Sequence, residues 1–174
     1  MNKNIIFLLL VIIAIYFLGK TTVDAIKIPD EAIRIRVIGN SNSEYDQQMK
    51  LKVRDNVQKE IYTLLKDVQD IEVARRVINE NINKLDTNVK TTLLENNYNI
   101  SYDINFGQNY FPKKEFKGII YNEGYYESLL VTLGEGNGDN WWCVLFPPLC
   151  LLEAEESDEV EYKFFVQQLI EKYF

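Results

Sequence analysis

The spacing of apolar residues changes along the chain and predicts its first elements. From Ile33 to Val37, apolar residues alternate with arginines, which is the period of a half-buried strand. A cluster of turn and cap residues follows at 39–43. Beyond it, apolar residues recur every three or four positions, which predicts a long amphipathic helix from about Glu44 to Asp67. Asp70 can cap a second helix, and Asp86 is a candidate start for a third.

From Tyr98 onward, alternation with a period of two predicts strands. Apolar residues at Ile100, Tyr102, Ile104 and Phe106 indicate a strand with one face toward water. Further strands are predicted around 125–133 and 141–146, joined as a hairpin across a glycine-rich loop at 134–140. An acidic stretch at 153–159 leads into a closing helix. The order of elements predicts an α+β fold, an antiparallel sheet with helices packed mainly on one face.

The N-terminal segment has the pattern of an export signal. Lys3 precedes an uninterrupted apolar run of 14 residues, 5–18. The polar stretch that follows ends in small residues, the last of which is Ala25. A membrane-spanning helix needs roughly 20 apolar residues, so the run favours a signal peptide. A short uncleaved anchor that holds the chain to the membrane stays open as an alternative. We therefore expect residues 1–25 to be a signal peptide or anchor and residues 26–174 to be one exported globular domain.

The amino-acid composition disfavours several classes of function. The chain has a net charge of −7 and no histidine. The acidic balance disfavours nucleic acid, because phosphate binding needs clustered Lys and Arg. Without histidine the chain lacks the commonest general base and a usual zinc ligand. We expect no enzyme activity, no metal, no cofactor and no small-molecule substrate.

The glycine-rich loop does not fit a ligand-binding motif. Gly134–Asp139 looks like a phosphate loop, but no Lys-Ser/Thr follows and a strand comes next instead of a helix. Its oxygen ligands also fail the spacing of an EF-hand calcium loop. A flexible hairpin loop is the prediction.

Two tryptophans, two prolines and two cysteines lie together in the sequence. In an exported chain, Cys143 and Cys150 predict a disulfide, with a pair of reduced buried thiols as the alternative. Neighbouring strand residues point to opposite faces, so Trp141 and Trp142 cannot both enter one core. A tryptophan exposed beside Pro147-Pro148 would make a stiff partner-binding surface. Alternatively, the closing helix covers the second tryptophan and makes it core.

The first helix carries many charges, which usually form a solvated face. Asp46 and Asp55 are candidates for a hydrolytic carboxylate pair, but their spacing places them on opposite sides of a helix.

Two segments resemble the stage II sporulation protein R family. The first is 34–43 (Arg-Ile-Arg-Val-Ile-Gly-Asn-Ser-Asn-Ser), continued by Asp46-Gln47 and by 50–55. The second and more specific is 134–150, with its Asn-Trp-Trp-Cys and Phe-Pro-Pro-Leu-Cys runs. Phe111-Pro112 and Gly124-Tyr125 also match, and the resemblance covers roughly residues 31 to 170. The departures are Asn42 in place of an acid, Tyr45 in place of a proline and Asp139 in place of a histidine.

The resemblance implies a cell-to-cell signal. Members of the family are made in the forespore and act in the space between forespore and mother cell. There they trigger a membrane-embedded aspartic protease that removes the prosequence of the early mother-cell sigma factor, sigma-E. We expect partner contacts at Trp141 or Trp142 and at the Pro147-Pro148 turn, with a second patch formed by Asn40, Ser41, Asp46, Lys50 and Arg54. An exported cell-wall hydrolase and a membrane-tethered structural subunit are the alternatives.

Overall fold

A computed structural model describes residues 28–116, 119–151 and 159–174. The elements, in chain order, are β1 (Ile33–Ile38), α1 (Glu44–Leu65), α2 (Ile71–Glu80), α3 (Ile82–Glu95), β2 (Tyr102–Phe111), β3 (Lys114–Phe116), β4 (Ile119–Tyr121), β5 (Gly124–Leu133), β6 (Asn140–Phe146), the 3₁₀ turn η1 (Leu149–Leu151) and α4 (Glu159–Tyr173).

Some predictions concern residues outside the described ranges. The apolar run at 5–18, the boundary after residue 25 and the acidic residues 153–158 all lie there. Among the helices of the described residues, none is long and apolar enough to cross a membrane.

Four strands form a mixed, mostly antiparallel sheet in the order β2-β5-β1-β6. β1 runs parallel to β5 and antiparallel to β6, while β2 runs antiparallel to β5. The predicted hairpin between β5 and β6 is therefore wrong, because β1 lies between these strands. β5 and β1 occupy the centre of the sheet, and β2 and β6 form its two edges. The predicted α+β fold class is confirmed.

Three helices cover one face of the sheet. Ser43 caps α1 and Asp70 caps α2, each side chain accepting a hydrogen bond from a backbone N–H three residues on. The third helix begins at Ile82, not at Asp86 as predicted, because the chain turns for a single residue at Asn81. The core beneath these helices is apolar throughout and includes Ile35, Val37, Val53, Val57, Ile61, Ile78, Leu85, Val89, Leu129 and Val131.

The opposite face of the sheet is also covered, by α4 and by a small β3–β4 hairpin. Neither β3 nor β4 was predicted from the sequence. The second core contains Phe111, Tyr126, Trp142, Val166 and Leu169 among its buried residues. Because this core covers the second face of β1, the prediction of a half-buried strand is wrong.

Candidate functional site

Two loops close onto each other at the end of the sheet where β1 and β5 finish. We call this pair the loop clasp: Gly39–Asn42, between β1 and α1, and Gly134–Asp139, between β5 and β6. The backbone N–H of Gly138 donates to the carbonyl of Gly39 over 2.9 Å, and the N–H of Gly39 donates to the carbonyl of Asp139 over 3.4 Å. The two segments that carry the sequence signatures are thus one structural unit.

Two asparagine side chains complete the loop clasp. Asn40 Oδ1 accepts from the backbone N–H of Glu135 over 3.1 Å, and Asn42 Oδ1 accepts from the N–H of Asp139 over 2.6 Å. These bonds occupy polar groups that would otherwise lie unpaired in a turn. The glycine-rich loop is therefore hydrogen-bonded to the β1–α1 loop, and it does not close a β5–β6 hairpin as predicted.

Close approach of the two loops explains the glycines. A Cβ on Gly138 would lie 2.3 Å from the backbone oxygen of Ser41, and one on Gly134 would lie 2.1 Å from Asn40 Oδ1. Gly134 also has a φ of +56°, which L side chains rarely adopt. The glycines permit packing of backbone on backbone, not the cradling of a phosphate.

The carboxylate of Asp46, at the start of α1, is hydrogen-bonded to the loop clasp. Its carboxylate accepts hydrogen bonds from Asn40 Nδ2 at 2.9 Å, Ser41 Oγ at 2.6 Å and the Tyr98 hydroxyl at 2.6 Å. The donors Ser41, Tyr98 and Asn40 lower the pKa of Asp46 to about 2, against the opposing effect of its burial. Burial and the bond to Asp46 raise the pKa of Tyr98. The carboxylate is therefore ionised at neutral pH and fully engaged.

Lys50 lies one turn further along α1 and is also buried, with 6% of its surface exposed. Its Nζ donates to the carbonyl of Asp139 over 3.1 Å and also to the side chain of Gln47. Burial lowers the pKa of Lys50, while the nearby Asp139 acts in the opposite sense. Asp46 and Lys50 thus support the loops, and Asn40 and Ser41, which are half-buried, lie at the surface of this end.

The two tryptophans lie on opposite faces of β6, as their neighbouring positions predict. Trp142 is 7% exposed and packs in the second core, edge-on to Phe111 and Tyr121. Trp141 is half-buried on the α1 side, with the guanidinium of Arg54 5.2 Å from its ring centroid. Of the two tryptophans, Trp141 is the more exposed.

The turn after β6 is folded back and cross-linked. Pro147 is buried and Pro148 is half-buried. Cys143 and Cys150 form a disulfide in the structure, with Cα atoms 5.8 Å apart. Gln58 Nε2 donates to the carbonyl of Cys150 over 3.3 Å, so that η1 is also bonded to α1. Because β6 runs from Asn140 to Phe146, the Pro147-Pro148 turn follows the end of the strand opposite to Trp141.

Carboxylates of the described residues are mostly paired with donors or cations. Asp55 Oδ1 lies 2.7 Å from the Arg54 guanidinium, and the Asp46 carboxylate accepts the three hydrogen bonds described above. A groove of about 570 Å³ separates α1 from α3, and in it Glu60 is paired with Lys84. The described residues include no group of three or more Cys, Asp or Glu side chains placed to hold a metal ion.

Fold and site together define a small α+β domain whose two signature segments are bonded into the loop clasp. The family model for stage II sporulation protein R matches residues 29–156. Stage II sporulation protein R of Bacillus subtilis (strain 168) is 46% identical over 134 residues, which cover 77% of this chain and 60% of that protein. The chain belongs to the stage II sporulation protein R family and is a stage II sporulation protein. No solved structure matches it.

Sequence reasoning missed several residues of the site. Tyr98 gave no signal, because its partner Asp46 is 52 positions away. Arg34 lies on a strand face expected to meet water, yet it is 1% exposed and its guanidinium stacks 3.3 Å from the ring centroid of Tyr126. Position within the two signature segments was the only hint for Asn42 and Gln47.

Proposed function

We propose that the chain is an exported intercellular signal of sporulation, not an enzyme. It is secreted from the forespore and activates the membrane-embedded aspartic protease that processes the sigma-E precursor in the mother cell. The observation that carries this proposal is membership of the stage II sporulation protein R family across residues 29–156. The chain matches 60% of the length of the Bacillus subtilis relative.

The apolar run at residues 5–18 supports export, and the cross-linked turn after β6 supports an oxidising compartment. The domain then acts in the space between forespore and mother cell, either free or anchored by residues 5–18. In this position it faces the outer side of a membrane-embedded protease.

The partner surface that we propose surrounds Trp141. It includes the Arg54 guanidinium over the Trp141 ring, and Asn40 and Ser41 at the loop clasp, while the predicted Pro147-Pro148 turn lies beyond the other end of β6. Tryptophan and arginine are the residue types that contribute most often to protein–protein affinity. The disulfide and the loop clasp fix this surface before binding, which reduces the entropic cost of association.

Activation follows from differential affinity. A protein that binds the active arrangement of the protease more tightly than the inactive one shifts the population toward the active arrangement. No chemistry from the bound domain is needed for this. Asp46 and Lys50 contribute indirectly, by holding Asn40, Ser41 and the loops in place.

Reconstitution in a non-sporulating bacterial host tests the proposal. The host expresses the sigma-E precursor and the protease, with this chain absent, present in full, or present without residues 1–25. We expect the processed sigma factor on an immunoblot only with the full chain, because only that form leaves the cytoplasm. Absence of processing when all three proteins are intact and correctly located would reject direct activation.

A further inference from the structure

β2 is a long strand at the edge of the sheet. It pairs with β5 over ten consecutive residues, Tyr102 to Phe111, without an irregularity. Among the strands that the structure describes, it has no second neighbour. The outer N–H and C=O groups of such a strand are a template for another strand.

The other edge of the sheet is treated differently. β6 ends at the prolines, and η1 folds back and is joined to Cys143 in the middle of β6 by the disulfide. β2 has no such protection: it contains no proline, no lysine and no arginine, and Asp103 is its one charged residue. Charges and prolines are the usual devices that prevent unwanted pairing at an edge. Their absence from a ten-residue edge strand indicates a strand that is used for pairing.

The side chains of β2 are also incompletely covered. On the helix-covered face, Tyr102, Ile104 and Phe106 pack against the first core but remain half-buried. At the end of the strand, Tyr110 and Tyr125 stack edge-on at 5.6 Å with 47% and 73% of their surfaces exposed. An additional strand would bury this row and give the exposed tyrosines a further aromatic neighbour.

We propose that β2 pairs antiparallel with β2 of a second copy of this chain, centred on Phe106. A two-fold axis perpendicular to the sheet preserves the faces, so residues whose numbers sum to 212 lie opposite each other. Tyr102 then lies opposite Tyr110 of the second copy and extends the Tyr110–Tyr125 pair. The two sheets become one continuous sheet, with the helices α1–α3 of both copies on the same side.

The strand is complementary to itself, which favours a second copy over another partner. Phe106 meets Phe106 of the second copy, and Asp103 meets Asn109, a neutral side chain and not a like charge. The two Asp103 carboxylates are about 20 Å apart, because six residues separate positions 103 and 109 along the strand. This pairing uses the edge opposite to β6 and leaves the surface around Trp141 free.

Cross-linking of the full chain tests the register directly. One copy carries Asp103→Cys and the other Asn109→Cys, with different epitope tags, and both retain the native disulfide. The two positions lie on the face of β2 opposite Tyr102 and Phe106. After mixing, a short bifunctional maleimide should give a cross-linked species carrying both tags at twice the 20.4 kDa chain mass. Asp103→Cys alone should give none above background, because its two thiols are too far apart.

The proposal would be overturned if Asp103→Cys cross-linked to itself as efficiently as to Asn109→Cys. It would also be overturned if no mixed product formed, or if the chain cross-linked to a different protein. Sedimentation of the wild-type full chain in mild detergent gives an independent measurement if a variant fails to fold. We expect the mass of a dimer, and a monomer at all concentrations would overturn the proposal. Neither readout involves sigma-E processing, so failure here leaves the proposed function standing.

Discussion

At the scale of single residues, Asp46 shows how a sequence signature serves the fold. A buried carboxylate is unfavourable unless hydrogen bonds compensate it. Donors from Asn40, Ser41 and Tyr98 do so here, and they come from the loop before α1 and from the segment that follows α3. Asp46 therefore ties the loop clasp to the helical layer. Its place in the signature follows from structure and requires no catalytic role.

Replacement of Asp46 tests this role. Asp46→Asn removes the charge and leaves at least one donor without its acceptor, so we expect the free energy of unfolding to fall by about 2–3 kcal/mol. The matched control is Asp55→Asn on the same helix, where the side chain is 59% exposed. Its effect should stay within about 0.5 kcal/mol. Urea denaturation at pH 7 measures both losses. Equal losses would show that the hydrogen bonds of Asp46 contribute no more to stability than an exposed carboxylate does.

The same carboxylate predicts a dependence of stability on pH. Its pKa is about 2 in the folded chain and 3.8 ordinarily, so the folded state holds its proton less tightly than the unfolded state. The resulting stabilisation, roughly 2 kcal/mol, is complete above pH 5 and is lost as the pH falls toward 2. Unfolding curves at pH 7 and pH 3 should differ less for Asp46→Asn than for wild type. An identical loss in both proteins would contradict the assignment.

The adjacent tryptophans also differ in burial, so their replacement should change stability to different extents. Trp142→Ala leaves a cavity among Phe111, Tyr121 and Tyr126 and should cost about 3–5 kcal/mol of folding free energy. Trp141→Ala removes a half-buried ring and its contact with Arg54, and should cost roughly 1–2 kcal/mol. Thermal or urea unfolding of the two variants decides this. The reverse order of stability would mean that the faces of β6 are wrongly assigned.

At the scale of elements, local signals predicted the helices and strands better than their arrangement. The bounds of β1, the start of α1 and the caps at Ser43 and Asp70 followed from turn residues and apolar spacing. The insertion of β1 between β5 and β6 did not, because pairing between strands about 90 to 110 residues apart leaves no local pattern. The loop clasp was missed for the same reason.

Glycine substitutions test the loop clasp as a unit. In Gly138→Ala the new Cβ would lie 2.3 Å from the backbone oxygen of Ser41, so the two loops must separate. We expect a loss of about 1–3 kcal/mol in the free energy of unfolding. Gly107→Ala is the control, since its Cβ would make an ordinary contact at 3.5 Å. Its effect on chemical denaturation should be small, and a neutral Gly138→Ala would show that the loops are not closely packed.

At the scale of the whole molecule, one sheet has a core on each face, and its end at the loop clasp and its two edges differ in how they are covered. The helices α1–α3 cover one face, and α4 with the β3–β4 hairpin covers the other. One end is closed by the loop clasp, one edge by η1, and the edge at β2 remains open among the described residues. The candidate partner surface lies where the loop clasp, α1 and β6 meet. The sequence placed Trp141, Asn40, Ser41 and Arg54 in two separate patches, and the fold brings them to one end.

We propose that the domain carries its signal on the surface around Trp141. The most direct measurement is sigma-E processing in the reconstituted host with Trp141→Ala, beside Leu94→Ala, which alters a side chain that is 65% exposed on α3. Both variants should be exported and folded. We expect processing to fall strongly with Trp141→Ala and to remain at the wild-type level with Leu94→Ala. Wild-type processing by a folded, exported Trp141→Ala chain would contradict the claim.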